Sequence, residues 1–493
     1  MYRHRNKISR IAIILVLFFV CYVGVSYYHL SKTLPAGIDF QGPVHRVPAA
    51  EISFLRDLTS VDEHGQRLYD QEIFSAIFTM IGQAKRYILV DMFLFNGDLG
   101  QEKACYRPLS TELVEALLDK KKEIPAISID VISDPINSVY GGASAEQLDS
   151  LRAAGIHVIV TDLSLLRDSN FLYSAFWRIF LQWFGNSKNG GWLRHPFAAV
   201  GRPVTLRSYL VLLNFKANHR KLCLADRPAG GMTAVITSAN PHDASSAHSN
   251  VALQVSGDVC RDIYRSEAAV AAFSGSFLSP EPFDTLSANA VNDDQAVDVQ
   301  LLTERRIKNA CQRLIMAARP GDAVYMAMFY LAERDIVRAL IQAARRGVMV
   351  KLVLDPNKDA FGYRKNGIPN RLVAHELRQK TRDAIEVRWY ATHGEQFHPK
   401  MIVRVSVDGQ QEVILGSANL TRRNIDNFNL ETDLYISGSR SLPIMVEIAD
   451  YIDLIWHNRD GHCYTVDYEL YAEKSLWKTW QYRLQESLGL GTF

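Results

Sequence analysis

The sequence lacks a charge excess, a cysteine framework and any compositional bias. Lys plus Arg is 55 and Asp plus Glu is 53, a formal net charge of +2. That balance argues against a protein that holds nucleic acid mainly by bulk charge, although a local basic groove stays open. The six cysteines (Cys21, Cys105, Cys223, Cys260, Cys311, Cys463) are scattered and form no CxxC pair. Neither a disulfide scaffold nor a cysteine zinc site is therefore expected. No long low-complexity tract occurs, and 48% of the 493 residues are hydrophobic, which argues against disorder or a fibrous repeat. At about 150 residues per domain, the length suggests roughly two to four domain-sized units.

Long apolar runs are also missing, with one exception. Ile11 to Tyr28 (IAIILVLFFVCYVGVSYY) carries no charge. As a helix it would span about 27 Å, close to the thickness of a bilayer core. Arg3, Arg5, Lys7 and Arg10 precede it, so the positive-inside rule keeps a basic tail, residues 1–10, in the cytoplasm and sends the rest across. A cleavable signal is the rival reading, but the run is long for one and no A-x-A-like site follows cleanly. The expectation is a single-pass membrane protein with its anchor at 11–28 and its bulk extracytoplasmic, in the periplasm if bacterial.

Two halves of the remainder resemble each other. Arg86 to Asn96 (RYILVDMFLFN) matches Asp322 to Ala332 (DAVYMAMFYLA), each an apolar run typical of a buried strand. Helical patterns follow from Leu109 and from Arg334, and further strands end at Pro135 and Pro356. Strands alternating with helices argue for a parallel or mixed sheet with helical cover. Ser279 to Gln295 reads as a polar linker. The predicted organisation is α/β: a first lobe at 45–276, a linker at 277–297 and a second lobe at 298–485.

The polar positions carry the chemistry. From His219, the residues Lys221, Ser238, Asn240 and Asn250 lie at +2, +19, +21 and +31; from His398, Lys400, Ser417, Asn419 and Asn429 lie at the same offsets. In a strand, residues i and i+2 share a face, so each His-x-Lys and each Ser-x-Asn is predicted to face one cleft from a hairpin. Asp408-Gly409 and Pro228 to Gly231 supply the turns. Paired imidazoles, ammonium groups and carboxamides suit a phosphodiester. Lys and Asn would stabilise the developing charge. One imidazole can attack phosphorus while the other protonates the leaving alkoxide. Two ammonium groups stand where a metal would otherwise neutralise charge, so no metal or cofactor is expected.

At these residues the chain resembles the phospholipase D superfamily. His219-Arg220-Lys221 with Asp226 fits H-x-K-x4-D in full; His398-Pro399-Lys400 with Gly416-Ser417-Ala418-Asn419 fits apart from the Asp, which is Val405. The resemblance covers roughly residues 50 to 460. It implies two pseudo-twofold lobes, each a mixed sheet flanked by helices, with the site between them. It also implies a phosphohistidine intermediate and transfer to water or an alcohol, as in phospholipases D and cardiolipin synthases. Catalytic positions carried over are His219, Lys221, Asp226, His398, Lys400 and Glu431; phosphate-binding positions are Ser238, Asn240, Ser417 and Asn419. The family places an acidic residue after the Asn to orient the histidine of the opposite lobe. Glu431, at +33 from His398, fits that place, and Ala252 is its equivalent by offset. By this analogy Glu431 orients His219 and favours its charged form. His219 is then the nucleophile, and His398 the acid and later base, without such a partner.

The first lobe is longer between strand and motif: Asp134 to His219 is 85 residues, against 43 from Asp355 to His398. The extra segment, about 164–205, is rich in aromatics. It reads either as a helix packed on the lobe or as an interfacial element with Trp177, Trp183 and Trp192 at headgroup level. His195 and His393 read as loop residues. The expected partners are a membrane phospholipid and the bilayer, with no nucleic acid, and the chain is expected to act as a monomer because both lobes lie within it. The competing readings are an anchored nuclease of the same superfamily and a decayed pair serving as a scaffold.

Overall fold

The computed structural model describes residues 2–100, 107–281, 283, 295–360 and 363–491. Cys105 and most of the expected linker fall outside them. Among the described residues two large mixed sheets form. The first has the strand order Arg67–Gln71, Ile52–Val61, Asn250–Ser256, Met232–Thr237, Lys221–Asp226, Tyr87–Met92, Ser128–Ser133, His157–Val160. The second runs His45–Pro48, Ala296–Thr303, Thr432–Ser439, Gln410–Gly416, Lys400–Val405, Ala323–Met328, Met349–Leu354, Ile385–Tyr390, Thr465–Asp467. Apart from the edge strands, the two orders are the same, so the duplication seen in the sequence is a duplication of topology. His45–Pro48, counted with the first lobe by sequence, pairs antiparallel with Ala296–Thr303 and is an edge strand of the second sheet.

Periodicity explains the layers. Tyr87–Met92 is buried at every position, which is why it reads as a continuous apolar run. It pairs parallel with Ser128–Ser133 and antiparallel with Lys221–Asp226. Ala323–Met328 repeats this with Met349–Leu354 and Lys400–Val405. The helix Leu109–Glu123 buries Leu109, Leu113, Val114 and Leu117, and Arg334–Arg345 buries Ile336, Val337, Leu340 and Ile341, each one stripe of helical spacing. These helices cover the outer faces. The inner faces meet in one shared core, where Leu222, Leu224, Ile236 and Leu253 pack with Val403, Val413, Leu415 and Leu434. Both catalytic-type hairpins close on glycines with positive φ: Gly230 and Gly231 (89° and 74°) in the first lobe and Gly409 (87°) in the second.

The N-terminal helix runs Tyr2–Ser31, beyond both ends of the expected span, and Arg10–Ser31 is long and apolar enough to cross a membrane. Most of its apolar side chains are uncovered by protein; Phe19 is 67% exposed. Its last turns grip the aromatic insertion: Tyr22 Oη donates to the carbonyl of Leu172 (2.5 Å) and Ser26 Oγ to that of Phe171 (3.1 Å).

Candidate active site

Each His-x-Lys opens the strand at the centre of its sheet, at the point where its backbone pairs with that of the other lobe. The N–H of His219 donates to the carbonyl of Leu430 and that of His398 to the carbonyl of Ser249, both at 2.9 Å. Buried aspartates fix the preceding turn: Asp134 accepts from the N–H of Asn218 (2.7 Å) and Asp355 from that of Phe397 (2.9 Å). The two imidazoles, 8% and 6% exposed, line a single cavity of about 320 Å³. Each leans on a phenylalanine, Phe93 on His219 and Phe329 on His398, with ring centroids 4.8 Å apart in both lobes.

The ammonium groups stand behind the imidazoles. Lys221 Nζ donates to the carbonyl of His219 and Lys400 Nζ to that of His398, both at 2.7 Å. They sit 5.2 and 5.1 Å from the rings of Phe93 and Phe329. Burial pushes Lys221 down to about 7 and lowers Lys400 strongly, with the neighbouring Lys221 ammonium adding to the fall of Lys400. Asn240 and Asn419 line the cavity, but Ser238 and Ser417 are fully buried and do not. Their hydroxyls instead donate to Asn250 (3.0 Å) and to Glu431. The two serines therefore hold the groups that hold the histidines, which corrects the phosphate-binding role read from the sequence.

Glu431 reaches across the lobes as expected, 2.9 Å from His219 Nδ1. His398, expected to have no such partner, has one: its Nδ1 lies 3.1 Å from Asn250 Oδ1 of the first lobe. Asn250 Nδ2 donates to the carbonyl of His248 (3.1 Å), so the oxygen must be the atom facing the imidazole, and His398 Nδ1 is the donor. The strand register makes Asn250 the counterpart of Glu431. Thr237 lies opposite Ala252 and Gly416 opposite Asp433, so Ala252 corresponds to Asp433. The offset comparison misaligned them because Ser238 and Asn250 are 12 residues apart whereas Ser417 and Glu431 are 14 apart. The lobes differ at the orienting position by a carboxamide against a carboxylate.

The expectation that Glu431 would favour a charged His219 is also corrected. Burial, Lys221, Lys400 and Arg423 hold His219 well below the usual imidazole range, and burial, Lys400 and His248 do the same to His398. Burial raises Glu431 in turn. Both imidazoles are therefore held neutral at pH 7, which suits a nucleophile. Anion binding reverses these shifts. Sulfate, used as a competitive inhibitor, is expected to lose affinity as pH rises, because each neutral lysine or imidazole that it recharges must take up a proton. Above about pH 7 Lys221 joins these groups and adds up to about tenfold per pH unit to the fall. A flat inhibition constant from pH 6 to 8.5 would remove Lys221 from the anion site.

Asp226 is not in the site. It lies at the far end of Lys221–Asp226 and accepts from the N–H groups of Lys85, Arg86 and Tyr87 at 2.8 to 3.2 Å. In the second lobe the facing strand supplies the carboxylate. Asp322 accepts from the N–H groups of Arg319 and Val407, both at 3.0 Å, which is how Val405 is accommodated. Asp226→Asn is expected to lower stability by about 1–3 kcal/mol while leaving any turnover by the folded protein near wild type. Thermal unfolding and kcat on the same sample separate the two.

Sequence reasoning missed the frame beneath the histidines. Arg220, fully buried, pairs with Glu267 at 2.7 Å and Glu304 at 2.8 Å. Glu304 also accepts from the N–H of Glu431 (3.1 Å), tying the His219 strand to its orienting residue. An Arg beside a motif histidine gives no sign of its partners when they lie in other elements. His195 accepts from the N–H of Ala198 (2.9 Å) in its loop and His393 sits 3.9 Å from Glu395; neither lines the cavity. The insertion does line it. Phe197 of the insertion, and Leu212 and Phe215 that follow it, join Ile136 and Tyr140 as an apolar lining, with Tyr330, Lys365 and Arg423 also bordering the cavity and Arg423 5.7 Å from the Phe215 ring.

Residues 311–456 match a family model described as cardiolipin synthase, PLD-like domain. That span contains His398, Lys400 and Glu431. No curated protein matches the chain by sequence. A crystal structure of phosphatidylserine synthase from Haemophilus influenzae Rd KW20 is similar, at 13% identity and a TM-score of 0.53, over 91% of this chain and 97% of that one. The phospholipase D family member Nuc from Salmonella typhimurium aligns at 21% identity and a TM-score of 0.26, over 35% of this chain and 99% of that one. The chain thus matches a PLD-like family model over part of its second lobe and shares the fold of that phosphatidylserine synthase along most of its length.

Proposed function

We propose that the protein is a membrane-anchored enzyme that cleaves phospholipid phosphodiesters through a phosphohistidine, passing the phosphatidyl group to water or an alcohol. The observation that carries this reading is one cavity lined by two imidazoles, each oriented from the opposite lobe. Glu431 holds Nδ1 of His219, so Nε2 attacks phosphorus and the bond to the leaving oxygen breaks. The substrate's negative charge restores the protons on the lysines and on His398, which then gives its proton to the leaving alkoxide. In the second half-reaction His398 takes a proton from water or an alcohol. The resulting oxygen nucleophile displaces His219. Lys221, Lys400, Asn240 and Asn419 would stabilise charge on the non-bridging oxygens.

The apolar lining of Phe197, Leu212, Phe215 and Ile136 supports a lipid substrate over a nucleic acid. The basic flank of the anchor argues for lobes outside the cytoplasm, a topology that a cytoplasm-restricted reporter fused after Phe493 checks by its silence. The deciding assay incubates purified full-length protein with phosphatidylglycerol vesicles, with and without added alcohol, and in parallel with single-stranded DNA, reading products by mass spectrometry. Phosphatidic acid, or the phosphatidyl ester of the alcohol, is the expected product. Cut DNA with intact lipid would establish the nuclease reading instead, and no product from either would leave a scaffold.

A further inference from the structure

The C-terminal helix Leu476–Leu488 is amphipathic in an unusual sense: its outward stripe is apolar. Trp477 is 70% exposed, Trp480 56% and Leu484 36%, with Leu476 at 86% beside them. The two indoles stack on each other with centroids 5.4 Å apart. The inward stripe is well fastened. Tyr482 Oη donates to the carbonyl of Ala332 (2.9 Å) and Glu486 accepts from the N–H of Arg422 (2.7 Å). The helix is therefore a fixed part of the second lobe, and its exposed tryptophans are presented rather than left loose.

Its position matters. At one end Lys478 Nζ donates to the carbonyl of Asn366 (3.4 Å), next to the cavity residue Lys365. Just beyond the other end, the cavity residue Arg423 donates to the carbonyl of Gly491 (3.0 Å). There Gly489 packs so closely on Ser169 that a Cβ would collide with the Ser169 carbonyl oxygen. The helix thus runs along the second-lobe rim of the cavity and ends against the insertion. The insertion contributes Phe197 to the cavity lining, forming another part of its rim, and exposes Phe180, Trp183, Phe184 and Trp192. Phe180 packs on Phe18 of the membrane-length helix, centroids 6.0 Å apart.

We propose that the Trp477–Trp480–Leu484 face is a second bilayer-contact surface, seated in the headgroup layer across the cavity mouth from the N-terminal helix. Indoles favour that layer, where the ring is desolvated and the N–H stays wet. Exposed Lys474 lies beside them, toward anionic headgroups. With both rims on the bilayer, a phospholipid enters the cavity without crossing water. The inference rests on the phospholipid reading above and adds to it where the lipid surface docks.

The test uses full-length protein reconstituted in vesicles of phosphatidylglycerol and phosphatidylethanolamine with brominated acyl chains, comparing wild type with the double variant Trp477→Ser and Trp480→Ser. Wild-type fluorescence is expected to be quenched by the bromines more than that of the variant. Turnover of vesicle lipid should fall by at least about tenfold, the effect of losing roughly 1.4 kcal/mol of interfacial contact. Turnover of a water-soluble short-chain phosphatidylglycerol should stay near wild type. Equal quenching, or equal loss on both substrates, would overturn the proposal. So would a detergent-solubilised dimer that the substitutions dissociate, because the face would then bind a second copy. If the wild type turns over neither substrate, the phospholipid reading has failed, and the quenching comparison still decides whether this face meets the bilayer.

Discussion

On the proposed mechanism, His219→Ala is expected to abolish the covalent intermediate and to lower turnover by at least about 10⁴-fold, because it would remove the nucleophile and not merely a proton carrier. His219 is the imidazole whose Nδ1 faces a carboxylate, 2.9 Å from Glu431, and whose ring is held neutral by burial and two lysines. Those are the conditions for a nitrogen nucleophile: a fixed tautomer, an available lone pair, and a buried partner that can stabilise the positive charge as the N–P bond forms. His398→Ala should differ in kind. It removes the acid, costing about 10²–10⁴-fold with a natural leaving group. It should still give labelled enzyme with a phosphatidyl ester of nitrophenol, which departs without a proton. That label should then persist, since the base for the second half-reaction is missing. Neutral-quench mass spectrometry locates the modified peptide. A phosphatidyl group found on His398 of the wild type, with His219 unmodified, would show that the roles are reversed.

The parts of this arrangement legible in the sequence are those that local repetition writes twice. His-x-Lys and the strands that carry it recur because each lobe must deliver one imidazole and one ammonium to the same point. The period-two strand and the 3.6-period helix are visible in any window that contains them. What was misread depends on register between elements. Asn250 and Glu431 are counterparts because Val251 and Thr432 both donate backbone N–H to the serine hydroxyls, Ser238 and Ser417. The loop before Glu431 is longer by two residues, so counting from the histidines aligned Asn250 with Asn429 instead. Aligning the strands themselves, SNVAL with LETDL, would have shown it. Asp226 was misread for a different reason. Its motif spacing is that of a six-residue strand, so it marks where the strand ends and cannot share the site of Lys221 at the other end. The C-terminal helix was missed because Trp477 and Trp480 have no motif around them; their meaning lies in where the helix is fastened.

The asymmetry between Glu431 and Asn250 predicts how each half-reaction responds to pH. Glu431 accepts from the Ser417 hydroxyl and the Asn424 carboxamide as well as facing His219. Glu431→Gln replaces one acceptor oxygen by an NH₂ that must point at one of these donors. It leaves His219 free to take the wrong tautomer, and formation of the intermediate is expected to slow by about 10²–10³-fold with the fold intact. Asn250→Asp acts in the opposite direction on the other histidine. It sets a carboxylate 3.1 Å from His398 Nδ1 where a neutral amide oxygen now stands. An opposite charge at that distance raises an imidazole pKa by roughly 1–3 units. His398 therefore keeps its proton to higher pH. Cleavage, which needs the acid, should extend toward alkaline pH. Release of the intermediate, which needs the base, should become slow at acidic pH, where the wild type still turns over. The substitution also places a carboxylate oxygen against the carbonyl of His248, replacing an N–H donor, so a loss of about 1–3 kcal/mol in stability accompanies it. Single-turnover cleavage and release, measured from pH 5 to 9, separate the two effects. A release profile in the Asn250→Asp variant that superimposes on wild type would mean that His398 is not the base and that Asn250 serves only to hold the strand.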